Sequence, residues 1–217
     1  MVSRRIVVLG GLATVASVSG FFRLPFATRA LADNAKPFLE ADAWASRLIA
    51  AAESQIGQTI LYDPAYTRMA YPMGDVSLDR GVCTDVIIRA YRQSAEIDLQ
   101  ERVHRDMKAA FGEYPKSWGS KRTDTNIDHR RVPNLAIFFK RAGAALPIST
   151  EARDYRPGDI VTHMLPGNLP HIGIVTQRAN ADGTRPLLVH NIGAGTRLED
   201  RLFEFKITGH FRYVPQA

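Results

Sequence analysis

An α+β fold is predicted from the order of periodicities along the chain. Helical spacing dominates Pro37 to Arg141, whereas short β-branched or aromatic runs broken by Gly, Pro, Asn and Asp dominate from Arg156 onward. Helices first and strands afterwards argue against alternating βαβ units, so the strands are expected to form an antiparallel sheet. Chain length sets the number of domains. Once an N-terminal targeting segment is set aside, about 185 residues remain, enough for one core and too few for two comfortable ones.

That segment reads "MVSRRIVVLGGLATVASVSGFFRLPFATRALADN". Arg4 and Arg5 precede an uncharged run from Ile6 to Phe22, and Ala30 and Ala32 supply the small residues of an A-x-A cleavage site. Residues 1–32 are therefore expected to be an export signal, with twin-arginine character in "SRRIVV", and 33–217 a single exported domain in the periplasm or cell envelope. The only membrane contact expected is this segment, if it stays uncleaved. The whole chain carries a formal charge of +6, but residues 1–32 hold four arginines and no acid, so the remainder carries only +2. That gives no ground for a nucleic-acid partner.

In the remainder, "PFLEADAWASRLIAAAESQI" places Trp44, Leu48, Ala51, Ala52 and Gln55 at helical spacing before Gly57. A loop rich in Tyr, Pro and Gly leads to a second helix that starts near Cys83 and turns Val86, Ile87, Ala90 and Tyr91 inward. A third, Asp98 to Phe111, carries Leu99, Val103, Met107 and Ala110 on one face. The polar stretch "GEYPKSWGSKRTDTNIDHRRV" lacks periodicity and is expected to be a long surface loop. A fourth helix, Pro133 to Arg141, begins with proline and stops before Gly143. Strands are expected in "GDIVTHML", "HIGIVTQ", "PLLVHNI", "RLFEFKI" and "HFRYV", with a hairpin turn at Asp182-Gly183.

Cys83 is the only cysteine. Exported chains tend to carry paired cysteines or none, so a single thiol at a helix start calls for a chemical role or burial as a small hydrophobe. The free N–H groups of a first helical turn favour negative charge, which predicts a thiol of lowered pKa. A thiol nucleophile needs a base, and the base an orienting partner. His171 begins one expected strand and His190 ends the next, so antiparallel pairing brings them together. Asn191 is the alternative orienting residue.

The segment "RPGDIVTHMLPGNLPHIGIVTQ" resembles the strands around the base of NlpC-type cysteine hydrolases, papain-like enzymes that cut peptide bonds in bacterial cell walls. "LLVHNIGAG" is similar to their following strand, and "GQTILYDPAY" with "RGVCTDVI" to their glycine-tyrosine loop and nucleophile helix. The resemblance spans Gly57–Gly195. It implies a papain-like α+β domain with the nucleophile helix packed on an antiparallel sheet. Cys83 would be nucleophile, His171 base, His190 the orienting residue, and Tyr62 a contributor near the oxyanion or the substrate carboxylate. The implied substrate is peptidoglycan or another envelope peptide, with no cofactor and no metal. Val82-Cys83-Thr84-Asp85 departs from the Asp-Cys-Ser-Gly usual in those enzymes. With "NIDHRRVPNL" and "PHIGIV" it is similar to the bacterial branch catalogued as domain of unknown function 1287.

Other polar residues have plainer expectations. Asp85 is expected to cap an N–H or pair with Arg89, with a substrate amine as its functional alternative. His129, Arg130 and Arg131 form a basic cluster that is either solvated or grips a substrate carboxylate. A metal-dependent hydrolase using His163, His171, His190 and Asp159 is the competing enzyme class, without a recognised ligand spacing. An inactive relative that binds envelope peptides is the competing non-enzyme.

Overall fold

The computed structural model describes residues 37–215, so the expected export signal and its cleavage site lie outside the described residues. Helix α1 (Ala43–Glu53) starts later than its periodicity suggests, because the Asp42 carboxylate accepts from the Ala45 N–H at 2.7 Å and caps the helix there. Its face Leu48, Ile49, Ala51 and Ala52 is buried. The loop that follows contains two short strands, β1 (Leu61–Tyr62) and β2 (Arg80–Gly81), paired in parallel with Tyr62 opposite Gly81. That pairing holds Tyr62 beside the residues that lead into α2 (Cys83–Ala95).

Helix α2 is the centre of the domain. Every residue from Cys83 to Tyr91 is buried, Thr84, Asp85 and Arg89 included. Burying a side chain such as Ile87 or Tyr91 contributes about 2–3 kcal/mol each, and the Tyr91 hydroxyl also donates to the Tyr213 carbonyl at 2.8 Å. Helix α3 (Leu99–Ala109) is capped by Asp98, and α4 (Val132–Arg141) carries Pro133 in its first turn. The expected surface loop between them is corrected in its second half. Asp128, His129 and Arg130 form a buried 3₁₀ turn, because α2 and α3 supply partners that sequence periodicity cannot register: Asp85 for Arg130 and His104 for Asp128.

Six strands complete the fold: β3 (Ala145–Leu146), β4 (Ile160–Leu165), β5 (Leu169–Ala179), β6 (Pro186–Asn191), β7 (Thr196–Glu199) and β8 (Lys206–Phe211). They form one antiparallel sheet in the order β3-β8-β4-β5-β6-β7. The α+β expectation therefore holds, and Gly183 sits in the expected hairpin turn with φ of +69°. Two strand expectations are corrected. "RLFEFKI" and "HFRYV" contribute to one strand, β8, preceded by a turn whose Leu202 is buried, and β7 was not anticipated. Ile160, Ile172, Ile174 and Val189 face the helices, while Val161, Val175 and Leu188 on the other face pack with Tyr155 and Leu202. Among the described residues no helix is long and apolar enough to cross a membrane.

Candidate active site

Cys83 is the first residue of α2 and only 3% exposed. Its seat follows from strand alternation. The Val175 N–H is bonded to Asp159 on the β4 side, so the Ile172 N–H points the other way, toward β6. The β5–β6 ladder stops at Ile174 and Val189, which leaves the Ile172 N–H to the Cys83 sulfur, joined there by the Thr84 and Cys83 N–H groups. These neighbouring N–H groups favour a charge on the sulfur.

Burial nevertheless outweighs them. The thiol is pushed up to about 12, chiefly by loss of water and further by the Asp85 charge two residues along the helix. This corrects the expectation of a thiol lowered by the helix start. The resting site holds a neutral thiol.

On β5, His171 is opposite His163 of β4, and Nε2 of His171 lies 2.9 Å from Nδ1 of His190 on β6. Gly173 makes that approach feasible. A Cβ there would stand 3.2 Å from the His190 Cβ, so a side chain would push the imidazole away from its neighbour. Burial holds both rings neutral, His171 down to about 2 and His190 down to about 4. No hydrogen bond joins the Cys83 sulfur to either ring among the described residues: alternation turns the His171 and His190 rings to the sheet face of Val175 and Leu188, opposite the face on which Ile172 meets Cys83.

His190 and Asn191 have different contacts. Asn191 donates from Nδ2 to the Gly81 carbonyl at 3.1 Å, tying the end of β6 to the residues just before Cys83, and so His190 alone meets His171. Sequence reasoning missed Glu199 altogether. It lies on β7 with Oε2 3.2 Å from His190 Nε2, and the unread alternation of that four-residue strand was the one signal that could have found it.

Asp85 has a structural task. Its carboxylate accepts from the Val82 N–H at 2.7 Å and from Arg130 at 3.0 and 2.9 Å, while Arg89 pairs with Asp75 instead. Arg130 also donates to the carbonyls of Asp63 and Ala65 at 3.2 Å, so it fastens the Tyr62 loop to α2. Of the expected basic cluster, His129 is buried and held neutral, down to about 3, and Arg130 is paired. Arg131 stays partly exposed, stacked 4.5 Å over the Trp118 ring and donating to Ser120. A cleft of about 370 Å³ opens over the thiol between Tyr62, Tyr66, Trp118, Arg131 and Pro170. Tyr62 is 40% exposed, and burial together with the Cys83 and Asp85 charges pushes its hydroxyl up to about 12.

The family described as "Domain of unknown function (DUF1287)" matches residues 49–213, from within α1 to just past β8. The chain belongs to this family. "Uncharacterized protein YijF" of Escherichia coli (strain K12) is 53% identical over 162 residues, which cover 75% of this chain and 78% of that protein. All the site residues above fall within the DUF1287 match.

In this DUF1287 domain the proposed ligands of a metal are otherwise engaged. His163 Nε2 lies 3.0 Å from the Leu202 carbonyl, and Asp159 is held by Arg212, His210 and the Arg156 N–H. Among the described residues no three His, Cys, Asp or Glu side chains are grouped to hold an ion.

The buried imidazoles set a pH dependence of stability. His129, His171 and His190 all have folded pKa values below the 6.5 of an unfolded histidine. Below pH 6.5 the unfolded chain therefore binds more protons than the folded one, and stability present at neutral pH is lost on acidification. Urea unfolding midpoints are expected to fall steadily between pH 7 and pH 5, and a flat profile would contradict these environments.

Proposed function

We propose that this protein is an exported thiol hydrolase of papain-like, NlpC-type architecture. It acts as an endopeptidase or amidase on cell-envelope peptides, with peptidoglycan stem peptides as the substrate class. The observation that carries the reading is the seat of Cys83: a lone thiol on the first turn of a helix, lining a cleft, against a strand that carries a histidine pair. Export rests on the reading of residues 1–32.

This mechanism requires that, when a peptide carbonyl enters the cleft, the His171 ring leaves its contact with His190 on the far sheet face and turns to the thiol. The Cys83 proton passes to His171 as the sulfur bonds to the carbonyl carbon. The oxygen gains the charge and is met by the Cys83 N–H and the Tyr62 hydroxyl. His171 then gives its proton to the leaving amine as the C–N bond breaks, leaving a thioester. Water, deprotonated by His171, attacks that thioester and releases a carboxylic acid and the restored thiol.

The unmade bond between Cys83 and His171 favours a second reading, an envelope-peptide binder without turnover. Digestion of purified muropeptides with the protein and with Cys83→Ala, read by mass spectrometry, separates the two. New fragments from the unsubstituted protein alone are expected. Binding without fragments would leave the second reading, and equal fragments from both proteins would remove the thiol from the mechanism.

A further inference from the structure

We infer that Arg131 is a specificity-determining residue of the Cys83 cleft, binding a carboxylate of an acidic peptide through two parallel N–H bonds. The inference rests on the reading of this cleft as a peptide site and adds the group by which it selects its peptide. Its basis is the charge around the opening. Among the described residues the cleft lining holds two arginines and no carboxylate. One of the two is already committed. Arg130 is buried, donating to both oxygens of Asp85 at 3.0 and 2.9 Å and to the carbonyls of Asp63 and Ala65. Arg131 is partly exposed and forms no ion pair among the described residues; its side chain donates from Nη1 to the Ser120 hydroxyl at 2.8 Å.

The guanidinium is held before any ligand arrives. Its Cζ lies 4.5 Å over the Trp118 ring, and Ser120 anchors one of its N–H groups from the same loop. A turn carries both residues to it: the Gly119 N–H donates to the Lys116 carbonyl at 2.8 Å, and Gly119 stands between Trp118 and Ser120 at φ +66°, where a side chain would be strained. Stacking occupies the flat face of a guanidinium and leaves its N–H edges available. Ser120 uses one of the donors of the fork, so the rest can meet both oxygens of a carboxylate. A long side chain ordered in advance loses less freedom on binding, which favours the bound state.

The backbone ties this cation to the thiol's own helix. Thr84, the residue after Cys83, donates from Oγ1 to the Arg130 carbonyl at 3.1 Å, and Arg131 is the next residue, the N-cap of α4. The Arg131 carbonyl accepts from the N–H groups of Asn134 and Leu135 at 3.0 and 3.1 Å, so its backbone is fixed while its side chain lines the cleft. Asp124 is close enough to feel the Arg131 charge, but its oxygens are occupied by the Tyr66 hydroxyl at 3.0 Å and by the N–H and Nδ2 of Asn126 at 2.9 and 3.0 Å. A phosphate dianion would call for a second cation, and Arg130 is bound to Asp85, so a carboxylate is the better match. The remaining wall, with Tyr62, Tyr66 and Pro170, offers contact to a peptide of any charge. Selection by charge therefore falls to Arg131.

The test is calorimetric titration of the Cys83→Ala protein with two stem peptides that differ only in whether the glutamate carboxylate is free or amidated. The free acid is expected to bind about tenfold or more tightly than the amide. Adding Arg131→Gln should remove that preference by weakening the free acid alone. Arg131→Lys keeps the charge but loses the fork and the stack, so it should keep part of the preference. With the thiol present, the loss of kcat/KM that Arg131→Gln causes on the free acid should lie in KM, a split that damage to the seat of Cys83 would not produce. Equal affinity for the two peptides, no binding of either, or an equal loss for both in Arg131→Gln would overturn the inference. Should Arg131→Gln fail to fold, the two peptides on the Cys83→Ala protein and the Lys variant still decide. Preference for the free acid without cleavage of either peptide would remove the hydrolase reading and leave Arg131 assigned, whereas cleavage of both at equal kcat/KM would keep that reading and overturn the inference.

Discussion

His171→Ala is expected to lower kcat/KM on muropeptides as severely as Cys83→Ala, by about 10³-fold or more, with the double variant hardly worse than either. The base takes the Cys83 proton and later delivers one to the leaving amine. Without it the thiol, pushed up to about 12 by burial, has nothing to ionise it at neutral pH. His190 acts on His171 alone, so His190→Asn should keep part of the rate and His190→Ala less. His163→Ala, whose ring is tied to the Leu202 carbonyl, should stay within about tenfold, or ~1.4 kcal/mol of barrier. Steady-state rates with circular dichroism as a folding check decide this. A His163→Ala loss equal to that of His171→Ala would return the three-histidine metal site to consideration.

The second large effect is on stability. Arg130→Met is expected to cost about 3–5 kcal/mol, because it removes the cation from a carboxylate that is almost wholly out of water. Asp85 would keep only its bond from the Val82 N–H. The Tyr62 loop would also lose two bonds, those to the carbonyls of Asp63 and Ala65. Replacing both partners, as in Asp85→Leu with Arg130→Met, should recover much of the loss, since a buried pair exchanged for apolar groups is often near neutral. Urea unfolding of the three variants measures the coupling. Equal losses in the single and double variants would show that the ion pair itself contributes little and that the loop contacts dominate.

Helix α2 and strands β4 to β6 are legible from sequence because each buries a continuous apolar face whose period survives in the chain: Val86, Ile87, Ala90 and Tyr91 on one, Ile172 and Ile174 on another. The same faces made His171 and His190 recoverable as neighbours, since their placement follows from strand order and a turn. Asp128 to Arg130 were not legible. Their burial depends on partners on other helices, and a polar run with distant partners has the same local pattern as one in water. Glu199 was hidden for a different reason. A strand of four residues at a sheet edge has too short an alternation to distinguish from a turn. The raised thiol escaped because a helix start can be read locally, whereas loss of water at Cys83 depends on everything packed around it.

The bond from Asn191 to the Gly81 carbonyl closes a separation of 110 residues, and it fixes the peptide on which the nucleophile is hung. A growing chain can complete α1 and α2 early, yet the cradle of the sulfur needs β5, and the tether of the residues before it needs β6. The surroundings of the thiol are therefore completed late in synthesis, and a fragment that stops short of β6 would lack both the strand and the tether that seat it.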